Sequence, residues 1–414
     1  MTDLTTGTDR AATGTGVRSR PRAVLPALCL TQITGWGIVY YAFPVLLSRI
    51  TADTSWSSGA TTGAFSLALL VSAAAGVPIG RILDRRGPHL VMTGGSALAA
   101  IGVLAVATAP SLPTFYAAWA LTGIAMAATF YQPAFAALTR WWGPDRVRAL
   151  TIVTLAGGLA STVFAPLTAT LAEHLDWRAT YLVLACVLAA ITLPAHALAL
   201  RAPWPPAPQP GNSEQSDTAG DRTARSRPFV LLATAFTLSG FAMYAVVIGL
   251  VPLLEERGAS PTTAAWALGL GGAGQTLGRT LYATLAARTT VTTRTAVLIS
   301  LGATTTAALA LVPGPIPVLV LLSVLAGVVR GNLTLLQATA VTDRWGTTHY
   351  GRLSGLLAAP ATIAAALAPW AGAALAGVLG GYGGLFLALS GSSLAAALLV
   401  TRATPREKAG STGV

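Results

Sequence analysis

Charge is what this 414-residue chain has least of. Asp, Glu, Lys and Arg together make up 10% of it, against about 25% in an ordinary soluble domain. There are only two cysteines, Cys29 and Cys186, each inside an apolar run. That is too few for a disulfide framework or a thiolate metal centre, so packing is the expected role of both. The four histidines, His89, His174, His196 and His349, are scattered along the chain. No metal set, nucleophile–histidine pair or phosphate-cradling loop accompanies them, so no enzyme, resident metal or cofactor is expected. The 14 acidic residues all fall in tails, loops or the ends of apolar segments.

What is present is hydrocarbon. Hydrophobic residues make up 53% of the chain and the mean hydropathy is +0.65. Apolar stretches of about 20 residues or more predict membrane-spanning helices. Twelve are read, over 23–48, 60–81, 89–109, 113–138, 149–172, 179–200, 229–253, 263–286, 295–312, 317–342, 353–378 and 383–401. The expected fold class is an all-α membrane protein.

The net charge of +12 sorts by loop. Of 26 basic residues, 21 lie in the two tails and in the alternate loops 81–88, 139–148, 201–228, 287–294 and 343–352. The opposite loops hold Arg49, Arg178 and Arg257 beside five acidic residues. Positive charge collects on the cytoplasmic side of membrane proteins, so a multi-pass protein of the cell membrane with both termini cytoplasmic is expected. The basic excess neighbours anionic lipid headgroups and is no sign of nucleic acid. Residues 1–22, rich in Thr, Gly and Arg, read as a disordered tail and not as a cleavable signal. Residues 402–414 read as a short polar end.

Residues 201–228, "RAPWPPAPQPGNSEQSDTAGDRTARSRP", replace apolar runs with Pro, Gly, Ser and charge. They read as a linker between two six-span halves, 23–200 and 229–401. The halves repeat. A constant shift of 203 carries Gly37 to Gly240, Tyr41 to Tyr244, Pro110 to Pro313, Thr139 to Thr342, Trp142-Gly143 to Trp345-Gly346 and Ala165-Pro166 to Ala368-Pro369. Parallel six-helix repeats are an organisation that secondary transporters use, with the site at the midplane between halves.

"GRILDRRG", Gly80 to Gly87, lies between the second and third spans. It resembles the G-x-x-x-D-R-x-G signature of the major facilitator superfamily through Gly80, Asp84, Arg85 and Gly87. "DWR", Asp176 to Arg178, resembles another recurrent feature of that superfamily. The resemblance implies two pseudo-symmetric six-helix halves, with Asp84 engaging a helix N-terminus or a nearby Arg to hold the cytoplasmic side in one state. Gly80 would let neighbouring helices approach closely. The shift of 203 puts Ala283, Ala287 and Arg288 on Gly80, Asp84 and Arg85, so this latch reads as degenerate in the second half.

Three stretches look like the monocarboxylate transporters: "TGWGIVYYAFP" from Thr34, "RWWGPDRVRALTIVTLAGG" from Arg140, and "QTLGR" from Gln275 to Arg279. The resemblance places Arg279 on that family's substrate-binding arginine. Val45 stands where the family has a lysine and Gln275 where it has an aspartate, which departs from its proton-coupling set.

Arg279 and Arg330 are the two arginines inside predicted spans. At about 1.5 Å per residue, Arg279 lies roughly 13 Å from the cytoplasmic end and Arg330 roughly 20 Å deep. An arginine in mid-span costs about 2.5–3.5 kcal/mol even on lenient scales. Hydrogen bonding to helix carbonyls, or to Asn332 or Gln337, is one explanation; an anionic substrate bound in bidentate geometry is the other. Arg330, Thr334 and Gln337 share one helical face, as do Gln275, Arg279 and Tyr282. Trp36, Tyr41, Gln132 and Tyr244 complete the expected lining. The function expected is a monomeric secondary transporter of a small organic anion such as a monocarboxylate, with a proton as a possible coupling ion. The alternative is efflux of a drug-like compound or secondary metabolite, for which the glycines of G-P-x-x-G-G after Pro166 are missing.

Overall fold

The structure is a computed structural model that describes residues 21–204, 222–345 and 350–403. The expected tails over 1–20 and from 404 onward, and the linker residues 205–221, lie outside the described residues. Among the described residues there are twelve long helices. They are α1 (Val24–Thr54), α2 (Ser58–Arg86), α3 (Pro88–Thr108), α4 (Leu112–Trp142), α5 (Arg146–His174) and α6 (Trp177–Ala199). After the linker come α7 (Arg227–Glu256), α8 (Pro261–Arg288), α9 (Val291–Leu311), α10 (Ile316–Thr339), α11 (Tyr350–Val378) and α12 (Tyr382–Thr401). Eleven are long and apolar enough to cross a membrane by length and composition. The other is α8, 28 residues long, which carries five glycines and Arg279 in place of branched apolar residues.

Backbone groups in hydrocarbon must be satisfied within the protein, which selects helices. Their ends are capped by residues the sequence supplies. Ser57, Asp176, Ser260 and Thr290 accept from the amides of Ala60, Ala179, Thr263 and Thr293 at 3.1, 2.7, 3.1 and 3.3 Å, a pairing that stabilises a helix by about 1 kcal/mol. Prolines account for two interruptions. Pro133 has no N–H to give the carbonyl of Thr129, and α4 breaks at Phe130. The Gln32 amide of α1 donates to that carbonyl at 2.7 Å instead. Ahead of Pro44, α1 widens into a π-helical stretch, Trp36–Tyr41, a bulge found often at functional sites.

The packing repeats as the sequence does. In the first half α2 packs on α4, α3 on α4 and α6, and α1 on α5 and α6; in the second α8 packs on α10, α9 on α10 and α12, and α7 on α11 and α12. The halves meet along α2–α11 and α5–α8, two pairs that exchange when the halves exchange. The chain therefore has the two-half, pseudo-symmetric architecture expected. His196 is a cross-brace inside the first half. It is buried, and its Nδ1 and Nε2 pair with Ser96 of α3 at 2.7 Å and Thr31 of α1 at 3.0 Å.

Candidate functional site

The site is built on a glycine seam. A Cβ at Gly278, Gly327 or Gly331 would overlap the backbone carbonyl of Val328, Gly271 or Gln275, so α8 and α10 touch backbone to backbone. Small residues are what permit such an approach between membrane helices. Gly327 and Gly331 bracket Arg330, and Gly278 directly precedes Arg279. The seam thus brings both arginines to one boundary, and Gln275, buried, sits on it as well.

Arg330 is 8% exposed. Its Nη2 is buried without a hydrogen-bond partner. It stands 4.0 Å from where a Cβ of Gly271 would be. The groups acting on its charge are the phenols of Tyr41 and Tyr40 from α1 and Tyr244 from α7, and the guanidinium of Arg279. The Tyr40 hydroxyl is likewise buried and unpartnered. Arg330 also borders a small cavity of about 40 Å³ with Ser239, Thr305, Thr306 and Ser393, room for a water. Neither Asn332 nor Gln337 pairs with it: Asn332 donates to the Val328 carbonyl at 2.9 Å.

Arg279 is better held. Its Nη1 donates to the Thr154 carbonyl of α5, and the Tyr131 phenol is an electrostatic neighbour. Gly157 and Gly158 make room for these groups, because a Cβ at Gly158 would stand 3.0 Å from Nη1 and one at Gly157 would overlap the Tyr131 oxygen. Its Nε remains buried and unpartnered. Tyr282, placed with Arg279 by spacing, instead bonds Thr339 at 2.9 Å toward the end of α10.

Trp36 stacks on Phe130 at 4.2 Å and stands 5.2 Å from Tyr131, with its Nε1 donating to Gln32 at 3.2 Å. Tyr244 and Gln337 line a cavity of about 370 Å³ with Phe236, Gly240, Ser354 and Ala365. Gln132, one residue past Tyr131, is exposed.

The α11 lining of this cavity, Ser354 to Ala365, lies almost entirely in the half of that helix nearer the side that carries the termini. On the opposite side the halves are joined by Ser48–Glu255 at 3.3 Å, Ser58–Tyr382 at 3.4 Å, Thr262–Glu173, Thr162 to the Gly269 carbonyl at 2.8 Å, and the Trp370 amide to Ser66 at 3.0 Å. Of the bonds named here between the halves, Arg279–Thr154 lies nearest the terminal side. There α11 is exposed on nearly every face from Gly355 to Ile363.

The Gly80–Gly87 loop lies on that terminal side. Arg140 of α4 is the partner of Asp84, at 3.0 Å, and no helix N-terminus is involved in that pair. Trp204, at the start of the linker, covers the Arg140 guanidinium at 4.6 Å and donates to the Asp84 carbonyl at 3.2 Å. Gly87, at φ +79°, presses on Trp204, so a side chain there would be both strained and crowded. Gly80 does not bring helices together: a Cβ there would meet open space. Arg85 is exposed. The degenerate latch expected for the second half is replaced by another. Arg294, 5% exposed, pairs with Asp343 at 2.9 Å, and Asp343 stands on Arg140 under the shift of 203. That correspondence was present in the sequence and could have revealed the pair; nothing in the linker's composition pointed to Trp204.

The family model described as "Major Facilitator Superfamily" matches residues 28–315 and 230–414. The chain belongs to the Major Facilitator Superfamily. Among relatives within it, bovine monocarboxylate transporter 13 is 29% identical over 258 residues, covering 61% of this chain and 57% of that one. Human monocarboxylate transporter 11 is 29% identical over 221 residues, covering 52% and 45%. The chain thus spans about half the length of the relatives it matches. Among solved structures, a point mutant of the nucleoside transporter NupG superposes with a TM-score of 0.76 at 14% identity, covering 92% of this chain and 98% of that one. A bacterial homologue of the human lysosomal transporter Spinster, in an inward-facing and unoccupied conformation, gives 0.69 at 16% identity, covering 94% and 96%. These superpositions show the superfamily fold. The chain is a multi-pass membrane protein of the superfamily, and monocarboxylate transporters are among the proteins it is similar to.

Proposed function

We propose that this chain is a secondary transporter that moves a small organic anion by alternating access, with Arg330 and Arg279 as its cationic anchors. The observation that carries the reading is the buried, unpartnered Nη2 of Arg330 among three tyrosines. A buried cation without a partner is costly, and a bound carboxylate is the counter-charge that offsets it. The names of the relatives, monocarboxylate transporters, support the same substrate class. The distribution of arginines supports cytoplasmic termini, and on that reading the cavity at Tyr244 and Gln337 is inward-facing and the Asp84–Arg140 pair is part of the cytoplasmic gate.

Thermal melting of the purified protein across mono- and dicarboxylates tests it. Ligand raises the melting temperature of wild type by linkage. Arg330→Gln folds, because losing a buried charge relieves desolvation, and its shift is strongly reduced. Arg330→Lys recovers part of it, since a point ammonium lacks the planar fork. A shift that persists unchanged in Arg330→Gln removes the anchor role. No shift with any anion, beside a clear one with neutral or cationic metabolites, gives the case to efflux.

A further inference from the structure

We infer that the site takes a two-headed anion, a dicarboxylate or comparable dianion, in preference to a single carboxylate. The inference rests on the anion reading above and narrows it.

The unsatisfied groups fall into two poles. One is Arg330 Nη2 with the Tyr40 hydroxyl, from α10 and the π-helical stretch of α1; both atoms are buried and unpartnered. The other is Arg279, whose Nε is buried and unpartnered, with Tyr131 beside it. Tyr41 acts on both poles, being an electrostatic neighbour of Arg330 and of Tyr131. Helical side chains lean toward the helix N-terminus, and both guanidiniums reach back along the seam. That of Arg330 lies beside Gly271, and that of Arg279 lies beside Gly158, whose carbonyl is 3.3 Å from where a Cβ of Gly272 would stand. The two poles therefore share one level of the bilayer and feel each other's charge.

The count of charges decides between one head and two. No Asp or Glu of the sequence stands in mid-span, where Val45 and Gln275 replace the ionisable pair of the monocarboxylate transporters. Guanidinium does not give up its proton in proteins. The site therefore carries two fixed positive charges. A monocarboxylate would satisfy one pole and leave the other charge uncompensated as the halves close over it. A dicarboxylate places an acceptor at each pole, and its remaining lone pairs accept from Tyr40 and Tyr131.

Binding of matched pairs to the purified full chain near neutral pH and constant ionic strength tests this: propionate against malonate, butyrate against succinate, valerate against glutarate. The expected result is that at least one dicarboxylate binds about tenfold or more tighter than its monocarboxylate counterpart, as one added charge-assisted contact predicts. Arg330→Gln, with a single cation left, weakens both series and brings their ratio down to about one, the residual binding of each running through Arg279 alone. Should the variant fail to purify, the wild-type ratios decide alone. Monocarboxylates that bind as tightly as their partners, or tighter, overturn the dianion while leaving the anion reading in place. Silence from both series overturns the anion reading, and this inference with it.

Discussion

Tyr41 and Tyr244 stand 203 residues apart in the chain and are both electrostatic neighbours of one guanidinium, that of Arg330. One comes from α1 and the other from α7, the equivalent helix of the second half. The repeat thus supplies the two walls of the site, and the arginine between them has no equivalent, since position 127, 203 residues before it, is Ala127. The same pattern recurs in both halves, at the end of the bundle away from the termini. Arg178 binds the carbonyls of Ala107 and Ala109 at 3.1 and 2.8 Å, and Arg257 binds those of Ala310 and Val312, the same two positions shifted by 203. The acceptors repeat while the donors come from different helices.

Asp84→Asn is expected to slow turnover while leaving ligand binding intact. Asp84 is 64% exposed, and exposed pairs contribute about 0–1 kcal/mol, so melting should barely move. What changes is the balance of inward and outward states. Counterflow at the wild-type rate in proteoliposomes would end its role as a gate.

Asp343→Asn should cost more than Asp84→Asn. It strips the charge partner from Arg294, which is almost fully buried and keeps the carbonyls of Ala286 and Thr289, at 3.3 and 3.2 Å, and the Tyr282 ring at 5.5 Å. A loss of about 1–3 kcal/mol is expected. Equal melting temperatures for the two variants would contradict the assignment of this pair as the second half's structural clamp.

Gly331→Ala should push α8 and α10 apart, because its methyl meets backbone and not a movable side chain. Overpacking of this kind costs about 1–3 kcal/mol. Gly80→Ala is the control: with open space around it, the folded state should hold or gain stability. Comparable destabilisation by both would remove the seam as the explanation.

Gln32→Leu keeps the volume but removes the donor that serves the Thr129 carbonyl and the acceptor for the Trp36 indole. An orphaned carbonyl in an apolar interior costs about 1–3 kcal/mol, read as a lower melting temperature. An unchanged melt would mean that the break in α4 is satisfied by other means.

The sequence by itself determined the class and the plan. Twelve apolar runs, the sorting of arginines by loop and the repeat at 203 each follow from local solvent preference: a residue in hydrocarbon must be apolar and helical wherever the chain later packs. The same logic singled out Arg330 and Arg279, since an arginine in mid-span is conspicuous before any contact is known. Tertiary structure alone decided how these residues are partnered. Spacing grouped Tyr282 with Arg279, but the fold gives Tyr282 to Thr339 and gives Arg279 the carbonyl of Thr154, 125 residues away. Trp204 looked like linker and proved to cover the Arg140 side of the gate. Asp84 had two plausible partners, and the fold chose Arg140. Helical periodicity fixes which residues share a face. Which neighbour that face meets is set by the glycine seams and proline breaks that let helices approach or bend, and these act between segments that no local pattern connects.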